Sequence, residues 1–492
     1  MNIFIILVAI IWGIRILANV LSYIHLWFVK EYRIDRMLIH LRTNQGKRIL
    51  FLSFRRPPVS PKAILLTIGT LVVLLLLFLY MPFFVLLKLL LIDILSFPIT
   101  FVLVLVTRAP TFVYHQLVIR AAVAKLRSHK KMTVVGITGS YGKTSTKDFL
   151  ATILVREFRV MKTEASKNAP IGIAEAVLKN LEPNDQIFVV EMGAYKRGEI
   201  AEMTRMVMPE IAILTAINPQ HQDLFGSLEN TKKAKYELVS GLVGRKLVIC
   251  NADTEGTRDM GKRAVSDGYI VWWYTTKEGP VGKIESSREG KIFYAQGVQS
   301  DTHGIVFTCR VGNDRVSVQS SVLGEHQVSN ILAAIAAAVA CGMDLTDAAR
   351  AASNINPTPK VMQLIQGING STYINDTFNN NPDAALAALN FLAQFRGKKF
   401  LVFQPMIELG SFSDSSHRRV GEQAGKTCEV IIVTNHNFYS SFEEGVRKSS
   451  KTIPLMALSP SRASEYLEKN VQKGDVVLFK GKEAETIFRR LR

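Results

Sequence analysis

Residues 133–147 read TVVGITGSYGKTSTK. A β-branched apolar run (Val134, Val135, Ile137) leads into a turn bracketed by Gly139 and Gly142. Lys143-Thr144 follows at once, before the helix-compatible stretch KDFLATILVREF. Glycines let backbone N–H groups converge on an anion, and a helix N-terminus adds its positive end. A lysine and a hydroxyl next in line supply a cation for β/γ-phosphates and a ligand for Mg²⁺. The chemistry this order serves is the holding of a nucleotide's phosphates. Thr138, Gly139, Ser140, Gly142, Lys143, Thr144 and Ser145 are the expected contacts. The strict eight-residue pattern would need glycine at 137, where isoleucine stands; the outer glycine is one place earlier, at Gly136.

Three further residues suit such a site. Glu191 ends the apolar run IFVVE, where a carboxylate can hold Mg²⁺ beside the loop, the usual place for the acidic partner; a helix-capping or solvated glutamate is the alternative. His221, in Asn218-Pro219-Gln220-His221, follows the run EIAILTAI, at the sheet edge where α/β proteins bind ligands. Lys235 lies in ENTKKAKYEL and alone reads as a solvated helix lysine.

The elements that must position these residues are an alternation of apolar strands and helix-length segments from about 131 to 250. Strands are expected at 133–138, 187–191, 210–216 and 246–250, in a parallel sheet flanked by helices. Residues 283–323 change to short strands with polar turns, an antiparallel patch, and NILAAIAAAVACGM (330–343) is a small-residue helix. Pro357 and Pro359 offer a boundary. Strands at 371–375, 399–403, 429–433 and 475–479 then suggest a second, smaller α/β domain.

The 492 residues suit roughly three domains of ordinary size. The first is apolar: 3–27 and 63–106 accommodate three membrane spans, about 3–27, 63–82 and 84–106, interrupted only by Arg15, Lys88 and Asp93. The N-terminal stretch lacks a basic leader and a small-residue cleavage site, so it reads as a retained anchor. Residues 30–62 carry nine Lys/Arg against two acids and should face the cytoplasm, which puts everything after about 107 there too. The division expected is a transmembrane region 1–110, a central nucleotide-binding domain 111–355 and a C-terminal domain 356–492. The first 130 residues hold sixteen basic and three acidic residues, +13 of the net +19, and 112–131 continue as a basic amphipathic helix. That charge suits anionic membrane lipids; a basic face with aromatics for nucleic acid is missing from the remainder. Cys250, Cys309, Cys341 and Cys428 stand singly and read as core thiols of a reducing compartment.

TGSYGKT (138–144), EMGAYKRGEI (191–200) and NPQHQDLFGSLENTKKAKYE (218–237), in this order, resemble the Mur ligase family, most of all its MurF branch. NAD (251–253), LGEHQVSNILAA (323–334), INDTFNNNPDAALAAL (374–389), MIELGSFSDSSHRRVGE (406–422) and VVLFKG (476–481) extend the resemblance from about 131 to the C-terminus. It implies an α/β fold: a P-loop parallel-sheet ligase domain and a smaller Rossmann-like C-terminal domain. It implies ATP-dependent amide-bond formation through an acyl phosphate in cell-wall precursor synthesis. The partners are an amino-acid or dipeptide substrate, D-alanyl-D-alanine in that branch, and a carboxylate-bearing precursor, UDP- or lipid-linked. By resemblance Lys143 and Thr144 hold ATP and a first Mg²⁺ with Glu191. His221 and a carbamylated Lys235 ligate a second Mg²⁺, Asn168 lies near the phosphates, Asn330 meets base or ribose, and Asp376 reaches ATP from the C-terminal domain. Asp376 on a separate domain implies closure before chemistry.

Three departures bear on the substrate. Membrane spans stand where the family has a UDP-sugar-binding domain. Lys360-Val361 stands where a Gly-Arg pair is usual, and lysine lacks arginine's planar fork. The KGSR-like motif reads Lys480-Gly481-Lys482-Glu483, an acid in place of a base. Two other readings stay open: an amide ligase of different product, poly-γ-glutamyl or folate-type, and a non-catalytic membrane scaffold that senses ATP.

Overall fold

The computed structural model describes residues 3–41, 49, 54–129, 131–164, 167–217, 225–277, 289–407, 409–449 and 452–492. His221 therefore lies outside the described residues. The chain divides into two compact units, 1–118 and 119–492.

In the first unit, helices Ile3–Val29, Pro61–Tyr80 and Val85–Val106 follow the three apolar runs, the last continuing after Thr107 as helix Arg108–Arg127. Three helices are long and apolar enough to cross a membrane. A short helix, Ile34–Leu41, lies inside the basic segment and was not expected, because eight residues between charged flanks are too few to leave a periodic signal. Ser60 caps Pro61–Tyr80 by accepting from the Ala63 N–H, with proline at the first turn where its missing donor costs nothing. Ile16, Val20, Ile24, Trp27, Leu66, Leu74, Leu89 and Ile92 form the core.

Asp93, buried among these side chains, accepts from Asn19 Nδ2 at 2.9 Å and Trp12 Nε1 at 3.2 Å, and pairs with Arg15 Nε at 3.2 Å. Two of the charges that interrupt the apolar runs, Arg15 and Asp93, are thus each other's partners. Their four-residue cluster ties the first helix to the third where little else can satisfy a charge.

The second unit holds two sheets. The first contains β1 (Thr133–Thr138), β2 (Val160–Lys162), β3 (Ile187–Glu191), β4 (Ile211–Leu214), β5 (Leu247–Asn251), β6 (Ile270–Thr275), β7 (Ile292–Ser300), β8 (Ile305–Val311) and β9 (Asp314–Ser320). Their order is β2-β3-β1-β4-β5-β6-β7-β8-β9, parallel through β7 and antiparallel from β7 to β9. The antiparallel patch is thus an extension of the parallel sheet. β1, β3, β4 and β5 are buried nearly throughout, as the continuous apolar runs require.

The small-residue helix spans Gln327–Ala340 and packs against helix Lys143–Leu154. Ala333, Ala334, Ala336, Ala337 and Ala338 are fully buried, and their small side chains allow the helix to lie close to its neighbours. The second sheet contains β10 (Gln363–Gln366), β11 (Thr372–Asp376), β12 (Lys399–Phe403), β13 (Val430–Val433), β14 (Leu455–Ala457) and β15 (Val476–Lys480). Its order is β10-β11-β15-β12-β13-β14, with only the edge strand β10 antiparallel.

After β3 the chain passes to the far side of β1 to form β4. The C-terminal ends of β1, β3 and β4 therefore meet at a switch point, where open parallel sheets leave a crevice for ligands.

Asp93→Leu should cost the full-length protein about 2–4 kcal/mol, because Asn19 and Trp12 lose their acceptor and Arg15 its counter-charge. A lowered thermal midpoint in detergent checks this; a midpoint unchanged within error would show that the cluster holds nothing together.

Candidate functional site

The loop between β1 and helix Lys143–Leu154 is shaped by its two glycines. Gly142 has φ +81°, and a Cβ there would lie 2.5 Å from Asn330 Oδ1. A Cβ at Gly139 would collide with the Thr215 hydroxyl. The loop is pinned to the end of β4: the Ser140 N–H donates to Ala216 O at 2.7 Å, and Thr215 Oγ1 donates to Tyr141 O at 2.5 Å. Thr138 contributes differently from expectation. Its hydroxyl is buried and donates to Met192 O at 2.8 Å, so it braces β1 against the chain leaving β3. Ser145 is buried in the first helical turn.

Lys143 curls over the loop and donates to Gly139 O at 2.7 Å and Ser140 O at 3.2 Å. Burial lowers its pKa, and the charge of Glu191 opposes that shift. An ammonium capping two carbonyls marks the place where phosphate oxygens would draw it.

Glu191 is the hub. It is almost wholly buried at the end of β3. Its Oε2 accepts from Thr144 Oγ1 at 2.9 Å, and its Oε1 accepts from Asn168 Nδ2 at 2.9 Å. Its own N–H donates to Thr163 Oγ1 at 3.1 Å. Lys147 Nζ stands 3.6 Å from the same Oε2. A hydroxyl and a carboxylate side by side are hard oxygen donors, the set that suits Mg²⁺, which keeps waters and takes its remaining ligands from phosphates. Among the described residues no three His, Cys, Asp or Glu side chains gather into a metal-binding group.

Lys235 sits on helix Leu228–Ser240, which Ser227 caps by accepting from the Asn230 N–H. Far from being a solvated helix lysine, it is buried, with Nζ 6.0 Å from the Phe225 ring centre. Burial first, and the nearby charge of Lys143 second, push its pKa down to about 7 against the pull of Glu199, Glu191 and Glu237.

Asn330 reaches the loop from the alanine-rich helix: Oδ1 accepts from Thr146 Oγ1 at 3.3 Å, and Nδ2 donates to Gln327 Oε1 at 2.7 Å. Asp376, at the end of β11, is buried and pairs with Lys480 Nζ at 2.5 Å across the β11–β15 register. What the second sheet presents is therefore an ion pair rather than a lone carboxylate. Glu483 accepts from Thr434 Oγ1 at 2.6 Å and Asn435 Nδ2 at 2.7 Å. Lys360 holds a left-handed φ of +63° and pairs with Glu485 at 2.8 Å.

The structure brings Gly139, Gly142, Lys143, Thr144, Asn168, Glu191 and Asn330 around one crevice. It adds groups that sequence reasoning missed. Lys147 lies one helical turn beyond Lys143, a spacing that puts both on one face. His326, four residues before Asn330, has its pKa lowered to about 4 by burial first, with Asp376 opposing the fall and Lys480 adding to it. Its position in LGEHQVSN was the available signal.

Comparison with known proteins adds the following. The Mur ligase middle domain is matched over residues 137–338, and the Mur ligase, glutamate ligase domain over 362–483. UDP-N-acetylmuramoyl-tripeptide--D-alanyl-D-alanine ligase of Bacillus subtilis (strain 168) is 30% identical over 366 residues, covering 70% of this chain and 72% of that protein. The enzyme of the same name from Escherichia coli (strain K12) is 31% identical over 301 residues, covering 61% and 64%. MurF from Acinetobacter baumannii shares the fold, with a TM-score of 0.67 at 24% identity over 77% of this chain and 80% of that one. MurF ligase from Thermotoga maritima in complex with ADP gives 0.65 at 25% identity over 77% and 83%.

Gly142→Ala should weaken nucleotide binding by about tenfold or more, because alanine at this φ is strained and its methyl displaces Asn330. Calorimetric titration with ADP and Mg²⁺ checks it; unchanged affinity in a folded variant would remove the loop from the nucleotide site.

Proposed function

The chain belongs to the Mur ligase family, and on that premise we propose how and where it works as a MurF-like, ATP-dependent carbon–nitrogen ligase of peptidoglycan synthesis. The observation that carries the proposal is the Thr144–Glu191–Asn168 constellation beside the Lys143 loop. It suits phosphoryl transfer to a carboxylate. An oxygen of the precursor's carboxylate attacks the γ-phosphorus of ATP, the bond to the bridging oxygen breaks and ADP leaves. The amine nitrogen of the second substrate then attacks the acyl carbon, the carbon–oxygen bond to phosphate breaks, and the nitrogen loses its proton.

The carboxylate, ATP, the acyl phosphate and the departing phosphate are anionic, so the residues' work is neutralisation and alignment. The loop N–H groups and Lys143 bind the phosphates. Thr144 and Glu191 would hold one Mg²⁺, which when bound neutralises charge developing on the transferred phosphoryl group. Asn168 fixes the orientation of the Glu191 carboxylate. Lys235 with a pKa near 7 carries a free amine in a good fraction of molecules, the form that takes up CO₂; as a carbamate, with His221, it would hold a second Mg²⁺.

The three apolar helices and the basic segment 30–62 support a multi-pass anchor in the cytoplasmic membrane, with the ligase domains on the cytoplasmic side. An anchored ligase meets substrates concentrated at the bilayer, and we assign it a lipid-linked muramoyl-peptide as carboxylate donor. D-alanyl-D-alanine is the amine expected from the relatives. Glu483, clamping Thr434 and Asn435, marks where amine recognition would depart from theirs.

Phosphate release by the full-length protein in nanodiscs, with ATP, Mg²⁺ and D-alanyl-D-alanine, tests the assignment. Turnover should be at least about tenfold more efficient with the undecaprenyl-linked tripeptide than with the UDP-linked one. Equal use of the UDP-linked form would overturn the lipid carrier, and silence with both would overturn the MurF-type substrate pair.

Lys235 gives a pH signature. Its lowered pKa means that the amine is free above about 7 and an ammonium, inert to CO₂, below it. With ¹³C-bicarbonate the protein should show a carbamate carbon resonance at pH 8 that disappears at pH 6 and in Lys235→Arg. A resonance indifferent to the substitution would place the carbamate elsewhere.

A further inference from the structure

Lys147 has no task in the reaction above, yet it is the most deeply buried charge beside the loop. It is fully buried one turn along helix Lys143–Leu154, and among the described residues its Nζ has no hydrogen-bond partner. Its neighbours are carboxylates: Glu191 Oε2 at 3.6 Å and Asp148 Oδ1 at 3.8 Å. An ammonium carries three donors and is costly to strip of water, so a buried one is kept only by charge close at hand. Asp148 is also held by Lys162, at 2.6 Å. That leaves Glu191 as the buried carboxylate that Lys147 faces, and Oε2 is the oxygen that Thr144 also contacts.

We infer that Lys147 holds the cation's place at Glu191 in the nucleotide-free protein and makes the site a poor one for a free divalent ion. The inference rests on the reading that Thr144 and Glu191 are the Mg²⁺ ligands. An ion added to Oε2 shares that oxygen with an ammonium that cannot withdraw, because the core encloses its stem. At this separation and depth like charges repel strongly. Nucleotide phosphates bring the anionic charge that offsets the crowding, so the metal enters with the nucleotide and not before it. Lys147 is thus a positioning residue: it stands against the Glu191 carboxylate and enforces the order of loading.

Mn²⁺ titration of the full-length protein in nanodiscs, followed by electron paramagnetic resonance, reads this directly. Without nucleotide, Lys147→Met and Lys147→Gln should bind Mn²⁺ about tenfold or more tighter than the unaltered protein. With ADP present the difference should shrink to less than about threefold. Neutral variants that bind free Mn²⁺ no tighter than the unaltered protein would overturn the inference. Should neither variant fold, thermal melts of the unaltered protein decide. Mn²⁺ alone should leave the midpoint unmoved while Mn²⁺ with ADP raises it, and a rise with Mn²⁺ alone would contradict the account. Loss of the ligase reading looks different: no binding of the Mn²⁺–ADP pair and no turnover in the unaltered protein.

Discussion

A buried carboxylate with nowhere to send its charge constrains this site. Glu191 ends a fully buried strand, where an unpaired charge would be costly. Thr144 and Lys147 come to it from one segment and Asn168 from another, and each is fixed by an element with its own reason to be there. Thr144 and Lys147 share the helix that the glycine loop opens, and Asn168 precedes a helix begun by Pro170. The parallel pairing of β1 with β3 sets Ile137 beside Glu191, so sheet register alone delivers the carboxylate to the loop.

The second sheet repeats the device. Asp376 and Lys480 are register partners on adjacent parallel strands, both buried, each neutralising the other. Such a pair contributes little net stability but is costly to break, and it orients whatever it faces. His326 and Asn330 begin the alanine-rich helix between the two sheets. Asn330 accepts from Thr146 beside the loop, and the charges of Asp376 and Lys480 act on His326.

Much of this was legible before the fold was known, for reasons that differ by residue. Gly142-Lys143-Thr144 is readable because its function depends on neighbours in the chain. Glu191 is readable because it ends an apolar run close in the fold to the glycine loop, the usual place for an acidic partner. The alternating runs disclose both sheets, while β2 and β14, at three residues each, are too short to leave a periodic signal. Partnerships across the chain are not readable. Asp376 and Lys480 are 104 residues apart, and Asn19 and Asp93 are 74 apart, so neither pairing has a local trace. The burial of Lys235 and Lys147 also escapes the sequence, because a helix lysine looks the same whether its face meets water or a carboxylate.

The account stands on one chemical claim, that the crevice transfers phosphate from ATP to a substrate carboxylate before the amide forms. The direct measurement uses precursor labelled with ¹⁸O in that carboxylate, followed by mass analysis of the released phosphate. Transfer through an acyl phosphate carries one labelled oxygen into each phosphate released. Amide product accompanied by unlabelled phosphate would contradict the mechanism and leave the Glu191 constellation without its assigned purpose.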